Sequence, residues 1–207
     1  MRILMKTIPT FDIENEYPNM IVAGVDEAGR GPLCGPVVAG ACIITQTPPV
    51  LITDSKQMNA RQRDAAYEWI TTNCIWATGL CSPQEIDDIN ILQASMLAMK
   101  RAVTALSRKP NFCLIDGNKM PDGLNGRAVV KGDAKSISIA AASIVAKVTR
   151  DRIMCELANE CPQYGWQKNM GYPTAAHLAA IAEFGINEHY RKTFGPIKNI
   201  KPPKHSQ

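Results

Sequence analysis

Residues 21–44 read IVAGVDEAGRGPLCGPVVAGACII. The run Ile21–Glu27 is small, apolar or β-branched up to two carboxylates, Asp26 and Glu27, the composition of a buried strand that ends at an acidic edge. A Gly/Pro turn follows, and Pro36–Ile44 resumes the same character, so the two strands are expected to pair as a hairpin. Working outward, Ile75–Cys81, Asn111–Asp116 and Arg127–Val130 read as further strands. Asn59–Asn73 has helical periodicity, with Ala65, Ala66, Trp69 and Ile70 on one side, and Trp69 and Trp76 are expected in the core. Ser82-Pro83-Gln84-Glu85 is a helix start, with a Ser cap, an early Pro and Glu at the third position; a longer helix is expected from about Ile91 to Ser107. Ile137–Cys161 is a long helix, and Thr174–Phe184 another, capped by Thr174 and stopped by Gly185. Strands come early as a run and helices cover the second half. That order predicts an α/β fold with a central mixed sheet flanked by helices.

The chain has 207 residues, 45% hydrophobic and 20% charged, enough for one domain with its own core. We expect an irregular lead-in over 1–19, a domain over 20–197 whose small C-terminal helical part begins near 165, and a basic tail over 198–207. The net charge of +4 hides an asymmetry: residues 1–99 carry 6 basic and 11 acidic residues, and residues 100–152 carry 11 and 4. An acidic first half suggests a cation site, and a basic middle and tail suggest an anionic partner. The 7 cysteines include no CxxC pair, which argues against a disulfide framework and a thiolate zinc site and for a reducing, cytoplasmic setting. The N-terminus has no long apolar run, and the uncharged stretch 31–53 is too rich in Pro and Gly for a membrane span, so no membrane partner is expected.

The informative positions are acids where strands leave the sheet. Asp26 and Glu27 close the first strand, Asp116 the fourth, and Asp133 follows the short fifth. Such acids can converge at one edge, and a cluster of them repels unless a cation sits among them. Oxygen ligands without Cys or His select Mg²⁺ or Mn²⁺. Adjacent strand residues point to opposite faces, so Asp26 and Glu27 reach one site only if the strand breaks there or one of them offers its backbone carbonyl. Gly29-Arg30-Gly31 then allows the backbone to approach a ligand closely, although it is no Walker loop.

These residues resemble ribonuclease HII, the type 2 ribonuclease H of bacteria. Gly24 to Pro32 is similar to that family's opening signature. Asp54-Ser55-Lys56, Ile115-Asp116-Gly117, Lys131-Gly132-Asp133, the run Ser138 to Lys147 with Arg150-Asp151, and Gly171-Tyr172-Pro173-Thr174 with His177 follow in the family's order. The resemblance implies a ribonuclease H-like fold and a divalent-metal endonuclease. Its substrates would be RNA–DNA hybrids and duplex DNA with single embedded ribonucleotides, cut on the 5′ side to leave 3′-hydroxyl and 5′-phosphate ends. It also implies that Asp26, Glu27, Asp116 and Asp133 are the catalytic acids and hold two metal ions. Gly29, Arg30 and Gly31 would read the 2′-hydroxyl, and Tyr172 would stack on the deoxyribose that follows. Two metals suit this chemistry, because they activate a water and stabilise the leaving oxygen with no protein nucleophile.

Other positions read less sharply. Lys56 is a candidate phosphate contact beside a capping Ser55, and Ser143 and Lys147, four apart on a helix, are candidates to grip the backbone near the cut. Asp151 reads as a structural ion-pair partner, Asp122 as a turn residue and His177 as a packing or capping histidine. Two rival functions remain at this point: a hybrid-binding module without catalysis, and a junction resolvase on the same fold. Nothing in the sequence demands more than a monomer.

Overall fold

The computed structural model describes residues 8–200. Five strands, β1 (Val22–Ala28), β2 (Val37–Ile43), β3 (Ile75–Cys81), β4 (Phe112–Asp116) and β5 (Gly126–Val129), form one sheet in the order β3-β2-β1-β4-β5. The β1–β2 and β2–β3 pairs are antiparallel, the hairpin expected for the first of them, while β1–β4 and β4–β5 are parallel. The sheet is therefore mixed, as the element order predicts.

Among the described residues five helices surround it: α1 (Ala60–Asn73), α2 (Pro83–Thr104), α3 (Ile137–Glu160), the single turn α4 (Trp166–Asn169) and α5 (Ala175–Phe184). On one face α2 packs over β1–β3, burying Ala94, Ala98, Met99 and Ala102 against Ala23, Val25, Ala39 and Ala41. On the other face lies α3, with α1 packed against it. The first ten residues of α3, Ile137 to Ala146, are all buried. Its approach to the sheet is set by glycine: a Cβ on Gly24 would lie 2.0 Å from the Ser138 carbonyl carbon, and one on Gly40 would lie 2.4 Å from the Ala142 oxygen.

The expected helix break before Ile91 is a kink inside α2. Asn90 adopts φ 65°, and its Oδ1 accepts from the amides of Leu92 and Gln93, so it caps the second half. That half ends at Thr104, short of the expected Ser107. One further expectation is corrected. Trp69 and Trp76 are only half-buried, at the rim of the α1–α3 cluster, and Ala65 is exposed; the fully buried indole is Trp166. The lead-in packs onto the fold from Pro9 on. Thr10 pairs with the backbone at Lys135 and Ile137, and Glu14 Oε1 accepts from Ser136 Oγ (2.7 Å) and the Ser138 amide (2.9 Å) at the start of α3. Residues 1–7 and the tail lysines Lys201 and Lys204 lie outside the described residues.

A satellite core joins the sheet to the C-terminal part. Trp166, Tyr164 and Tyr190 pack with Leu33, Cys34, Met154 and Ile181. An isolated bridge, Cys34 to Tyr190, ties the loop after β1 to this cluster.

Candidate active site

In the parallel ladder Val25 stands opposite Ile115, so Asp26 and Asp116 fall at the same level on adjacent strands. Both belong to the α3 side of the sheet, the side on which the neighbouring even-numbered Gly24 meets α3. One strand further on, Asp116 stands opposite Val129, and the chain then turns through Lys131 (φ 55°) into the short 3-10 helix Gly132–Ala134, which carries Asp133. Asp116 Oδ1 accepts from the Gly132 amide at 2.6 Å, fastening that turn to β4. Two acids thus share one sheet edge by register, and the Gly132 amide ties the turn that carries the third to it.

The strand does not break at the acidic pair. β1 runs unbroken through Ala28, with Glu27 opposite Ala39, and the break comes at Gly29 (φ +93°). Glu27 therefore leaves on the other face of the last strand turn, where its Oε1 pairs with Arg30 at 3.1 Å. It still lies in the field of Asp26 and Asp116.

Electrostatics mark this edge. Burial, then the charges of Glu27 and Asp116, push the Asp26 carboxyl well above the usual carboxylate range. Burial raises Glu27 against the pull of Arg30. Asp133 is raised by burial and by Asp116 and Asp54. Lys56 faces the cluster: burial would lower its pKa, but Asp26, Asp54, Asp133 and Asp116 together raise it. Asp54, to which sequence reasoning assigned no role, belongs to this field; it also caps the turn Ser55–Gln57 through the Lys56 amide.

Packed acids with raised pKa values and an oxygen-only donor set fit a hard divalent cation. Among the described residues no three such side chains close on a single point as a finished cage. Their oxygens are turned to local donors instead: Asp26 Oδ1 to the Glu27 amide, Asp116 Oδ1 to Gly132 and Glu27 Oε1 to Arg30.

Beside the acids opens a cleft of about 260 Å³, lined by Glu27, the Gly29–Arg30–Gly31 turn, Ser55, Lys56, Ser143, Lys147, Arg150 and Tyr172. All seven non-acidic positions expected from the sequence meet here. Ser143 is buried and bonds Ser55 (2.8 Å), fastening the Lys56 loop to α3. Lys147 lies on the cleft wall with its ammonium on Asp151 at 2.7 Å, so Asp151 has the structural pairing expected of it, with Lys147 as partner. Tyr172 is 45% exposed, and its Cε1 would lie 3.5 Å from a Cβ on Gly31. A ring so placed is a surface of the cleft, not of the core.

The Tyr172 loop is held from behind. His177 is fully buried; its Nδ1–H donates to the Tyr172 carbonyl (2.8 Å), and its Nε2 accepts from Trp166 Nε1–H (3.1 Å) and meets the Tyr190 hydroxyl (2.9 Å). An indole can only donate, which fixes this tautomer. The packing role expected for His177 is what the structure has.

Around this geometry the fold is that of the ribonuclease H-like nucleases. A crystal structure of ribonuclease H2 from Pyrococcus horikoshii superimposes with a TM-score of 0.69 at 28% identity, over 86% of this chain and 95% of that one. Bst-RNase HIII, solved in complex with Mn²⁺, superimposes with a TM-score of 0.70 at 18% identity, over 86% of this chain and 68% of that one. The family model of ribonuclease HII matches residues 23–194. The ribonuclease HII of Magnetococcus marinus is 55% identical over 186 residues, 87% of each chain. The chain belongs to the ribonuclease HII family and is a ribonuclease H, an endoribonuclease of the hydrolase class acting on RNA–DNA hybrids. Among the described residues no helix is long and apolar enough to cross a membrane.

Proposed function

We propose that the chain is a cytoplasmic, monomeric, divalent-metal endonuclease that incises 5′ of single ribonucleotides embedded in duplex DNA, as well as within hybrids. Asp26, Glu27, Asp116 and Asp133 would hold Mg²⁺ or Mn²⁺, two ions in the active complex. The bound metals would supply an activated water and stabilise the leaving 3′ oxygen, yielding 3′-hydroxyl and 5′-phosphate ends. The observation that carries this reading is the register match of Asp26 and Asp116, with Asp133 tied to Asp116 through Gly132, beside a cleft floored by the glycine turn. Lys56, exposed and facing four acids, is suited to a phosphate oxygen at the same edge. Backbone groups of Gly29–Gly31 would recognise the ribose 2′-hydroxyl, the group that separates RNA from DNA. Tyr172, adjacent to Gly31, would pack on the next sugar and favour a deoxyribose there.

The test is a duplex DNA with one ribonucleotide, incubated with Mg²⁺ or Mn²⁺. The expected product is a single nick 5′ of the ribonucleotide. Binding without cutting, or cutting of all-DNA branched substrates in its place, refutes the reading.

A further inference from the structure

Arg191 is completely buried, in the segment that follows α5, far from the acids in sequence. Its five N–H groups all go to carbonyl oxygens: Nε and one terminal nitrogen to Gly35 (3.0 and 2.9 Å), the others to Gly29 (2.6 Å), Arg30 (3.0 Å) and Pro32 (2.9 Å). None goes to a carboxylate. A buried charge is normally kept by pairing it with an opposite one. Here the fork is spent on the backbone of one loop, and that loop contains the Gly29–Arg30–Gly31 turn. A second buried guanidinium, Arg150, braces the same region from α3 through Pro36, Cys34 and Met170. It lies so close that a Cβ on Gly29 would stand 2.0 Å from its Nε.

In a planar trans peptide the carbonyl of one residue and the amide of the next point opposite ways. With the Gly29 and Arg30 carbonyls turned inward to Arg191, the amides of Arg30 and Gly31 point away from it, to the side where both residues are exposed and line the cleft. Among the described residues neither amide has a hydrogen-bond partner. Successive free amides of this kind form a concave donor site. We propose that Arg191 is a positioning residue for the reaction: by holding two carbonyls from behind, it fixes the Arg30 and Gly31 amides as a rigid donor pair for an oxygen of the substrate. This rests on the ribose-reading role proposed for the turn. Lysine at 191 would keep the charge but lose the planar five-donor fork.

The experiment compares wild type, Arg191→Lys and, as a stability control, Ile70→Ala in the remote α1 core, on duplex DNA with one ribonucleotide. For Arg191→Lys the expected result is a 10- to 100-fold fall in kcat with duplex affinity within twofold, since a misplacement of about 1 Å costs on the order of a hundredfold. A folded Arg191→Lys with kcat within twofold of wild type overturns the proposal, and so does a loss no larger than that of Ile70→Ala at the same fall in Tm. Should the variant not fold, backbone order parameters of wild type decide. The Arg30 and Gly31 amides are expected to be as rigid as those of β1 while exchanging rapidly with solvent; a turn more mobile than β1 overturns the proposal. If wild type itself fails to nick at the ribonucleotide, the ribose-reading role fails, and the rigidity measurement still tests the clamp.

Discussion

Replacing Asp26 by Asn should stabilise the metal-free protein while abolishing cleavage. Asp26 is 4% exposed, and burial, Glu27 and Asp116 hold its carboxyl above its ordinary range, with the Glu27 amide pulling the other way. The folded state therefore keeps a proton that the unfolded chain has already released. As the pH rises through the unfolded value of about 3.9, ionisation costs the folded protein stability. Ionising Asp26 would set it against a second carboxylate on the neighbouring strand, and two unit charges about 5 Å apart repel by about 3 kcal/mol at an effective dielectric near 20. Lys56 offsets part of that, leaving a net gain for Asn on the order of 1–2 kcal/mol. At about 2–4 °C per kcal/mol for a chain of this size, Tm should rise by roughly 2–8 °C. The Oδ1 that accepts from Glu27 survives in the amide, so no hydrogen bond is lost. The assay is thermal melting of both proteins in chelator from pH 4 to 8, repeated with Mg²⁺. The advantage of Asn should grow from pH 4 upward and level off above the folded pKa, and Mg²⁺ should raise Tm of wild type more than that of the variant. An Asn variant that melts below wild type at pH 7.5 without metal, or a difference that ignores pH, would refute the reasoning.

Tyr172→Ala should lower cleavage at a single ribonucleotide by tenfold or more, from a stacking loss of about 1–3 kcal/mol, with a smaller effect on long hybrids and little change in Tm; equal losses on both substrates would exclude junction reading. His177 has its pKa lowered by burial, so its contribution to stability is present above the unfolded value of about 6.5 and is lost as the pH falls below it. Urea titrations should show wild type weakening from pH 6.5 to 5, and His177→Gln should flatten that slope while costing about 2–3 kcal/mol at pH 7.5. Gly24→Ala would drive a Cβ against the Ser138 backbone, which no rotamer change relieves, and should cost about 3 kcal/mol by urea denaturation.

What the sequence disclosed was the part of the site carried by strand ends. Acids that close strands can be located without a structure, because strand character is local and the carboxylate interrupts it. The register that makes Asp26 and Asp116 neighbours is not local; it depends on β4 sliding into place beside β1, 90 positions away in sequence. The supports behind the cleft were hidden for another reason. Arg191 stands in His189-Tyr190-Arg191-Lys192, which reads as a solvated basic stretch, and Glu14 reads as one acid among several in a polar lead-in. Their value comes from backbone carbonyls and amides, which carry no residue identity and so leave no motif. Arg30 is named by its motif, but its guanidinium pairs with Glu27, so the role proposed for it falls to its backbone amide.

The tether between Arg191 and the glycine turn also orders events in time. The Arg30 carbonyl and the guanidinium that grips it are 161 residues apart. A ribosome adding about 5–20 residues per second makes the turn roughly 8–30 s before it makes its clamp. Throughout that interval the nascent chain carries the loop without the contact that shapes it. Any messenger truncated before codon 191 would likewise encode a protein with every acid in place and a turn that lacks its Arg191 contacts.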